Sequence, residues 1–304
     1  MLLGDQDEVR NELTRASARA ANLPIELVHA PERVEMDDPP STVLRRKPQS
    51  SLAIATQMQK ERKIDAFFSA GSTGAVVAAS LLGLGRLEGV SRPAIASIFP
   101  NRGAGCVVLD VGATVDCKPL NLVQFAEMGS CYAHDVIGLP SPRVGLLSIG
   151  EESSKGDELR QETHGLLAQT SNLNFIGNVE GRDILKGEVD VVVTDGFTGN
   201  VVLKLAESVI GHVAQSFRGE IGRSLQAKAG ALLLKPAFDQ MRQQFDYAEY
   251  GGAPLLGVDG VIFIGHGGSS PRAIRSAIRS TCIFVEQRVN EHIPQLLRDV
   301  HAEA

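Results

Sequence analysis

Short apolar runs rich in β-branched residues alternate with segments of helical periodicity along the chain. The clearest run, Val189 to Thr194, suits a strand buried on both faces. The runs at 94–99 and 105–110 are separated only by Pro100 to Ala104 and fit a hairpin. The pattern therefore predicts an α/β fold, a three-layer sandwich around a mostly parallel, partly mixed sheet.

Beyond the run at 189–194, helical periodicity continues for an unusual length, from Val201 to Lys228. An apolar segment, 229–234, then lies between lysines, and a second helical segment, 237–245, follows. We interpret 201–246 as a projecting two-helix hairpin, with the apolar segment at its tip, within a single domain of residues 1–304. The helix bodies fit a dimer interface, and the tip fits a membrane surface, because apolar residues ringed by lysines insert at headgroup depth.

Three predicted turns from strand to helix are rich in small polar residues and glycine. They read AGSTGA (70–75), DGFTGN (195–200) and HGGSS (266–270). A helix N-terminus offers free backbone N–H groups and partial positive charge, which suit phosphate. Because the carboxyl ends of parallel strands form one crevice, we expect the turns to bind one phosphate-bearing substrate together. Each turn alone also fits an ordinary capped helix.

Composition narrows the class of protein. The 304 residues include 31 glycines and no tryptophan, and 43% are hydrophobic, which fits an α/β protein with many tight turns. The net charge of −6 argues against nucleic acid as a partner. The four cysteines form no CxxC pair, so we expect no metal, and we expect no cofactor. Without a signal peptide or a run long enough to span a bilayer, we expect a cytoplasmic protein, at most attached peripherally to a membrane.

Ordered motifs over nearly the whole chain add a resemblance to a known family. The motifs are SAGSTGA (69–75), RPAIA (92–96), LDVGATVDCKP (109–119), QFAEMG (124–129), GLLSIGEESSKG (145–156), NFIGNVEGRDI (174–184), VVTDGFTGNVVLK (192–204), YGGAPLLGV (250–258) and HGGSS (266–270). On these motifs the chain resembles the PlsX-type phosphate acyltransferases of bacterial phospholipid synthesis. The resemblance implies transfer of a fatty acyl group from acyl-carrier-protein to orthophosphate, which yields acyl phosphate.

The chain departs from the family pattern in three places. Ser72 stands where the family usually has Asn, and Gly268 is substituted or inserted in the histidine turn. The family's opening strand and acidic, glycine-rich turn are absent before Leu3. We therefore expect the first family strand to be missing, either because the start has been placed too late or because the product is impaired.

The implied reaction needs no protein nucleophile, because phosphate itself attacks the thioester. The chain must hold phosphate and stabilise the oxyanion. We expect phosphate binding by residues of two turns: Gly71, Ser72, Thr73, Gly74, Gly196, Thr198 and Gly199. We expect the catalytic and charge-offsetting residues to be polar side chains near the strand ends: Lys118, Lys155, Asn178, Asp195, Asn200, Lys204 and His266. Of these, the lysines would offset the phosphate charge, and His266 or Asn178 would assist the oxyanion or the leaving thiolate.

The implied partners are acyl-carrier-protein, orthophosphate, a membrane surface and a second copy of the chain. Since carrier proteins are acidic, the hairpin is expected to present the partner surface: Arg218, Arg223, Lys228, Leu232, Leu233, Leu234, Lys235 and Arg242. Two alternatives remain. One is a phosphate acetyl- or butyryltransferase that uses coenzyme A thioesters, and the other is a non-catalytic acyl-carrier or membrane-surface binding protein. An NAD-dependent dehydrogenase fits less well, because the chain lacks a dinucleotide turn.

Overall fold

A computed structural model describes residues 1–16, 23–245 and 252–302. Its strands are β1 (Leu2–Gly4), β2 (Leu27–His29), β3 (Ala66–Ser69), β4 (Ala94–Ile95), β5 (Ser97–Phe99), β6 (Cys106–Leu109), β7 (Arg143–Leu147), β8 (Asn174–Val179), β9 (Val191–Val193), β10 (Ala253–Leu256) and β11 (Val261–Ile264). Its α-helices are α1 (Gln6–Ala16), α2 (Val43–Arg46), α3 (Ser51–Lys60), α4 (Thr73–Gly83), α5 (Pro119–Tyr132), α6 (Glu158–Leu167), α7 (Gly196–Gly222), α8 (Leu225–Phe245), α9 (Pro271–Glu286) and α10 (Val289–Ala302).

The described strands form three sheets. A five-stranded sheet has the order β5-β6-β9-β7-β8, a four-stranded sheet has the order β3-β11-β10-β4, and β1 pairs with β2. In the larger sheet β6, β9, β7 and β8 are parallel, while β5 and β6 form the expected antiparallel hairpin. The predicted mixed α/β class is confirmed. Of the three glycine-rich turns, those at 70–75 and 266–270 follow β3 and β11 of the four-stranded sheet, and the one at 195–200 follows β9 of the five-stranded sheet.

The strand predicted at 189–194 is buried on both faces, as its composition requires. Val191 and Val193 pack into one apolar core with Leu109, while Val192 packs into the other with Val108. Successive side chains of a strand point to opposite faces, so a run without polar residues is stable only between two cores. This geometry fixes the direction in which the chain leaves β9 toward α7.

The helical hairpin differs from its predicted outline. The connection between α7 and α8 lies at Arg223 and Ser224, where the Ser224 hydroxyl accepts a hydrogen bond from the Ala227 N–H. The apolar segment 229–234 is therefore part of α8 and not the tip. Its alanines and leucines are strong helix formers, and so are the lysines that flank it, so the segment continues the helix. No helix among the described residues is long and apolar enough to cross a membrane.

Glu127 of α5 is a buried carboxyl group in the core. The residue is 2% exposed, and its Oε1 has no hydrogen-bond partner in the described structure. Burial raises the pKa of Glu127 from its ordinary 4.5 to about 7, against a hydrogen bond from Asn172 that lowers it. The folded protein therefore holds a proton here over a pH range in which the unfolded chain has lost it.

We predict that Glu127→Gln stabilises the protein at pH 8 by roughly 1–3 kcal/mol and changes stability little at pH 5. The stability that Glu127 contributes is fully present below pH 4.5 and is lost as the pH rises through about 7. Thermal unfolding at pH 5, 6.5 and 8 measures the effect, with the exposed Glu158→Gln on α6 as control. Equal shifts of Tm at pH 5 and pH 8 would contradict the prediction.

Candidate active site

The turn after β9 is organised by the carboxylate of Asp195, the N-cap of α7. Its Oδ1 accepts the Thr198 N–H at 2.9 Å, and its Oδ2 accepts the Thr198 hydroxyl at 2.8 Å. The Arg160 guanidinium of α6 also donates to Asp195 Oδ2, and to the hydroxyls of Thr194 and Thr198 at 3.3 Å each. Although burial raises it, the hydrogen bonds from Thr198 and Arg160 hold the pKa of Asp195 below its usual range.

The backbone of this turn is already hydrogen-bonded within the protein. The Gly196 N–H donates to the Thr114 carbonyl at 2.9 Å, and the Gly199 N–H donates to the Asp195 carbonyl at 3.0 Å. Helix α7 begins at Gly196, several residues earlier than the expected start at Val201. Because Asp195 caps the helix, these N–H groups are not the free phosphate donors that the sequence pattern led us to expect.

The two glycines of this turn are required by packing. A Cβ atom on Gly196 would lie 2.5 Å from Asp110 Oδ2, and one on Gly199 would overlap the Asp110 carbonyl oxygen. Asn200 is exposed, and its side chain lies against Gly112. Close approach of α7 to Asp110 therefore explains the glycines without a ligand.

Asp110 itself is fully buried and accepts four backbone hydrogen bonds. Its Oδ1 accepts from Ile95, Gly112 and Ala113 at 2.8–3.0 Å, and its Oδ2 accepts from Thr114 at 2.6 Å. Burial raises the pKa of Asp110 to about 6, and the four N–H groups oppose that rise. Sequence reasoning passed over Asp110, although it lies in the quoted motif LDVGATVDCKP.

The other two glycine-rich turns lie together at the end of the four-stranded sheet. Strands β3 and β11 are parallel neighbours with Ile264 opposite Ser69, and the Gly265 N–H donates to the Ser69 carbonyl at 2.8 Å. Ser72 caps α4, and Ser270 caps α9. Two helices of more than two turns therefore begin side by side at this edge.

This edge keeps hydrogen-bond donors that the described protein does not use. The N–H groups of Thr73 and Gly74 have no acceptor among the residues described. A Cβ on Gly71 would meet only Ser69 Oγ, at 3.5 Å, so the protein leaves open space there. His266 is exposed, and its Nδ1 accepts the Gly268 N–H at 3.0 Å. This bond leaves Nε2 as the protonated nitrogen of the neutral ring.

The remaining predicted side chains lie on separate elements. Asn178 is buried, and its Nδ2 donates to the Glu152 carbonyl at 2.8 Å, which braces the loop that carries the exposed Lys155. Lys204 pairs with Glu207 at 2.9 Å. Lys118 borders a cavity of about 530 Å³, whose polar lining comprises Arg86, Ser91, Arg92, Asp116, Lys118 and Asn121. The three lysines thus do not converge on one turn.

The sequence analysis did not predict three cationic side chains near the candidate site, those of Arg86, Arg92 and Arg160. Arg92 lies within the quoted motif RPAIA, which was a usable signal, whereas Arg86 has none. Arg160 gave only a weak signal. It is the third residue of α6, and its guanidinium donates at 3.0 Å to the side chain of Asp157, the acidic cap of that helix. Its longer-range bond to Asp195 cannot be found by local spacing.

On the hairpin, the predicted partner surface is exposed wherever its side chains are described. Lys228 and Lys235 are exposed, and Leu232, Leu233 and Leu234 are 72%, 82% and 55% exposed. Arg223 pairs with Glu220 at 2.6 Å. The side chains of Arg218 and Arg242 lie outside the described ones.

Comparison with known proteins gives consistent matches. A family model described as "Fatty acid synthesis protein" matches residues 1–292. The "Phosphate acyltransferase" of Pelotomaculum thermopropionicum is 46% identical over 303 residues, which cover 100% of this chain and 87% of that protein. The "Phosphate acyltransferase" of Heliobacterium modesticaldum is 49% identical over 298 residues, 97% of this chain and 88% of that protein.

Solved structures share the fold at low sequence identity. A phosphotransacetylase from Streptococcus pyogenes superposes with a TM-score of 0.61 at 18% identity, covering 93% of this chain and 85% of that one. The EutD phosphotransacetylase from Staphylococcus aureus gives a TM-score of 0.56 at 17% identity, with coverage of 96% and 85%. At this identity the likeness concerns the fold alone.

We predict that Arg160→Ala destabilises the protein by about 3–5 kcal/mol, because it leaves the Asp195 carboxylate buried without its cation. The two side chains are only 11% and 8% exposed. Urea unfolding at pH 7 measures the loss, and Arg182→Ala is the control, since Arg182 pairs with Glu180 while 62% exposed. That exposed pair is worth at most about 1 kcal/mol. Equal losses in the two variants would refute the buried-pair interpretation.

Proposed function

Because this chain belongs to the phosphate acyltransferase family, we propose that it transfers a fatty acyl group from acyl-carrier-protein to orthophosphate. Membership of the family makes the chain an acyltransferase. The carrier as donor and a role in phospholipid synthesis are our inference. The alternative donor is a coenzyme A thioester. We retain this alternative because the chain shares its fold with phosphotransacetylases.

The observation that carries the proposal is the paired edge of β3 and β11. The N-termini of α4 and α9 begin there side by side, and the N–H groups of Thr73 and Gly74 have no acceptor in the described protein. Helix N-termini stabilise anions through such N–H groups and the helix dipole. We assign orthophosphate to this edge, with Gly71, Ser72, Thr73 and Gly74 around it.

The chemistry that follows is direct attack. A phosphate oxygen forms a bond to the thioester carbonyl carbon, the carbonyl oxygen takes negative charge, and collapse breaks the carbon–sulfur bond and releases a thiolate. His266 lies at the same edge with Nε2 as its proton-bearing nitrogen, so it can donate to the oxyanion or to the leaving sulfur. A protein nucleophile is unnecessary, since phosphate supplies the attacking atom.

The other predicted residues take supporting roles in this proposal. Asp195, Gly196, Thr198 and Gly199 hold the start of α7 in place, and Asn178 fixes the loop that carries Lys155. Asn200 remains a candidate because its side chain is exposed. Lys118 and Lys155 have no ion pair among the described residues, whereas Lys204 is paired with Glu207. Lys155 is therefore the better candidate to offset the charge of orthophosphate, and Lys118 borders the separate cavity beside α5.

We predict that Thr73→Pro raises the KM for orthophosphate by about 10-fold or more. Thr73 is the first residue of α4, a position where proline fits without breaking a helix, as Pro119 and Pro271 do in α5 and α9. The change removes one N–H donor, and a hydrogen bond to a charged acceptor is worth about 1.5–3 kcal/mol. The assay is phosphate-dependent thiol release from acyl-acyl-carrier-protein and, separately, from acetyl-coenzyme A.

Thr73→Ala is the matched control, because it removes the hydroxyl and keeps the N–H. An unchanged KM for orthophosphate in Thr73→Pro would remove phosphate from this edge. Thiol release from acetyl-coenzyme A alone would favour the alternative donor, and release from neither donor would favour a non-catalytic binding protein.

For the hairpin we propose a membrane contact through α8 and pairing of two copies through α7. Three consecutive leucines of α8 are exposed beside Lys228 and Lys235. Helix α7 exposes Phe197, Val201, Leu205, Val209, Val213 and Phe217, at every fourth position. A row of exposed apolar side chains of this length fits burial against a second helix pair.

We predict that Leu233→Gln reduces sedimentation with anionic lipid vesicles at least several-fold, because it removes the most exposed of the three leucines from the bilayer interface. Leu166→Gln on α6, which also replaces an exposed leucine, is the control and is expected to leave binding unchanged. Equal binding by wild type and Leu233→Gln would exclude α8 as the membrane contact.

A further inference from the structure

The cavity beside α5 carries positive charge that the described protein does not neutralise. It is lined by Arg86, Arg92 and Lys118 against one carboxylate, Asp116. None of these four side chains has an ion-pair partner within the described part of the chain. Unpaired cations that share a concave surface attract anions more strongly than the same cations on an open surface.

A buried polar network fixes the backbone under these cations. The Ser91 N–H and hydroxyl both donate to Gln124 Oε1, at 2.9 and 2.6 Å, and Asn121 Nδ2 donates to the Ser91 hydroxyl at 2.6 Å. The Lys118 N–H donates to Asn121 Oδ1 at 2.8 Å. Asn121 and Gln124 are 6% and 2% exposed. The residues that bear the cations at 92 and 118 are thereby tied to each other through α5.

The wall of the cavity is joined to the start of α7 through Thr114. The Thr114 hydroxyl donates to the carbonyl of Pro93 in the cavity wall at 2.9 Å, and the Thr114 carbonyl accepts the Gly196 N–H at the start of α7. Its volume of about 530 Å³ is far larger than an orthophosphate requires, and Leu81 and Pro93 give it an apolar side. Its ligand should therefore combine a phosphate with an extended organic arm.

We propose that this cavity binds the phosphate of the phosphopantetheine arm that carries the acyl thioester. The inference rests on the proposed function and holds for either donor, because carrier proteins and coenzyme A both present this arm. Arg92 and Lys118 bind the phosphate, and Arg86, whose guanidinium also donates to the Ser91 carbonyl, supports the wall. Orthophosphate shares the same chemistry, so the test must separate the two sources.

Calorimetric titration of 4′-phosphopantetheine and of pantetheine tests the site without turnover. The two compounds differ only in the phosphate. We expect the wild type to bind the phosphorylated compound about 10- to 100-fold more tightly, as charge-assisted hydrogen bonds require. Arg92→Ala should erase most of that difference, and Arg92→Lys should retain much of it. Because Arg92 is exposed and unpaired, the variant is expected to keep the Tm of the wild type.

Arg279→Ala, an exposed residue of α9 outside the cavity, is the control and should bind both compounds as the wild type does. Orthophosphate at an equal concentration should displace little 4′-phosphopantetheine, because it offers the cavity a phosphate without the organic arm. Full displacement at equal concentration would assign the cavity to the nucleophile and overturn the proposal, and so would an undiminished preference in Arg92→Ala. Absence of phosphate-dependent thiol release in the wild type would instead overturn the proposed function, since binding is measured independently.

Discussion

The carboxylate of Asp110 is the interaction on which the rest of the structure depends. It accepts the N–H of Ile95 at the edge of the four-stranded sheet and the N–H groups of residues 112–114 after β6. Taking a carboxylate out of water costs several kcal/mol unless its lone pairs are occupied, and here four donors occupy them. The same residue forms the surface on which Gly196 and Gly199 pack. Both sheets and the start of α7 therefore share one anchor, and none of them can shift alone.

The contacts around this anchor explain why two similar turns, the one after β9 and the one after β3, differ in their capacity to bind an anion. After β9, the cap Asp195 and the Thr114 carbonyl consume the backbone donors, and Arg160 neutralises the carboxylate, so the turn is a closed structural unit. After β3, the N–H groups of Thr73 and Gly74 have no acceptor among the residues that the structure describes. Anion binding requires donors that folding has not used. The proposed phosphate site therefore lies at the open turn, while the closed turn keeps the start of α7 fixed.

Local patterns predicted the elements of this chain well and their pairing less well. The β-branched run around Val192 gave the strand buried on both faces, and the adjacent runs at 94–110 gave the antiparallel hairpin. The ion pair of Arg160 with Asp195 joins residues 35 apart in sequence, and the use of the Gly196 N–H depends on Thr114 from another loop. Such contacts exist only once the sheets have formed. The apolar segment 229–234 is not the tip for a different reason, because its alanines and leucines and the flanking lysines all favour a helix.

Electrostatics links the fold to the chemistry. The chain has a net charge of −6, yet the proposed reaction brings a phosphate anion to a thioester whose carbonyl oxygen also becomes negative. Such a reaction needs positive potential that is in place before the substrates arrive, because reorganising charge during the reaction would add to the barrier. In the proposed function, the two adjacent helix N-termini at β3 and β11 supply it without charged side chains, and the cavity supplies it through Arg92 and Lys118, which have no ion pair among the described residues. The fold, which the chain shares with phosphotransacetylases, does not by itself set the acyl donor, so in the proposed function that choice falls to the cavity wall and the hairpin. The buried carboxylate of Asp110 links both sheets to the start of α7, the helix from which the hairpin extends.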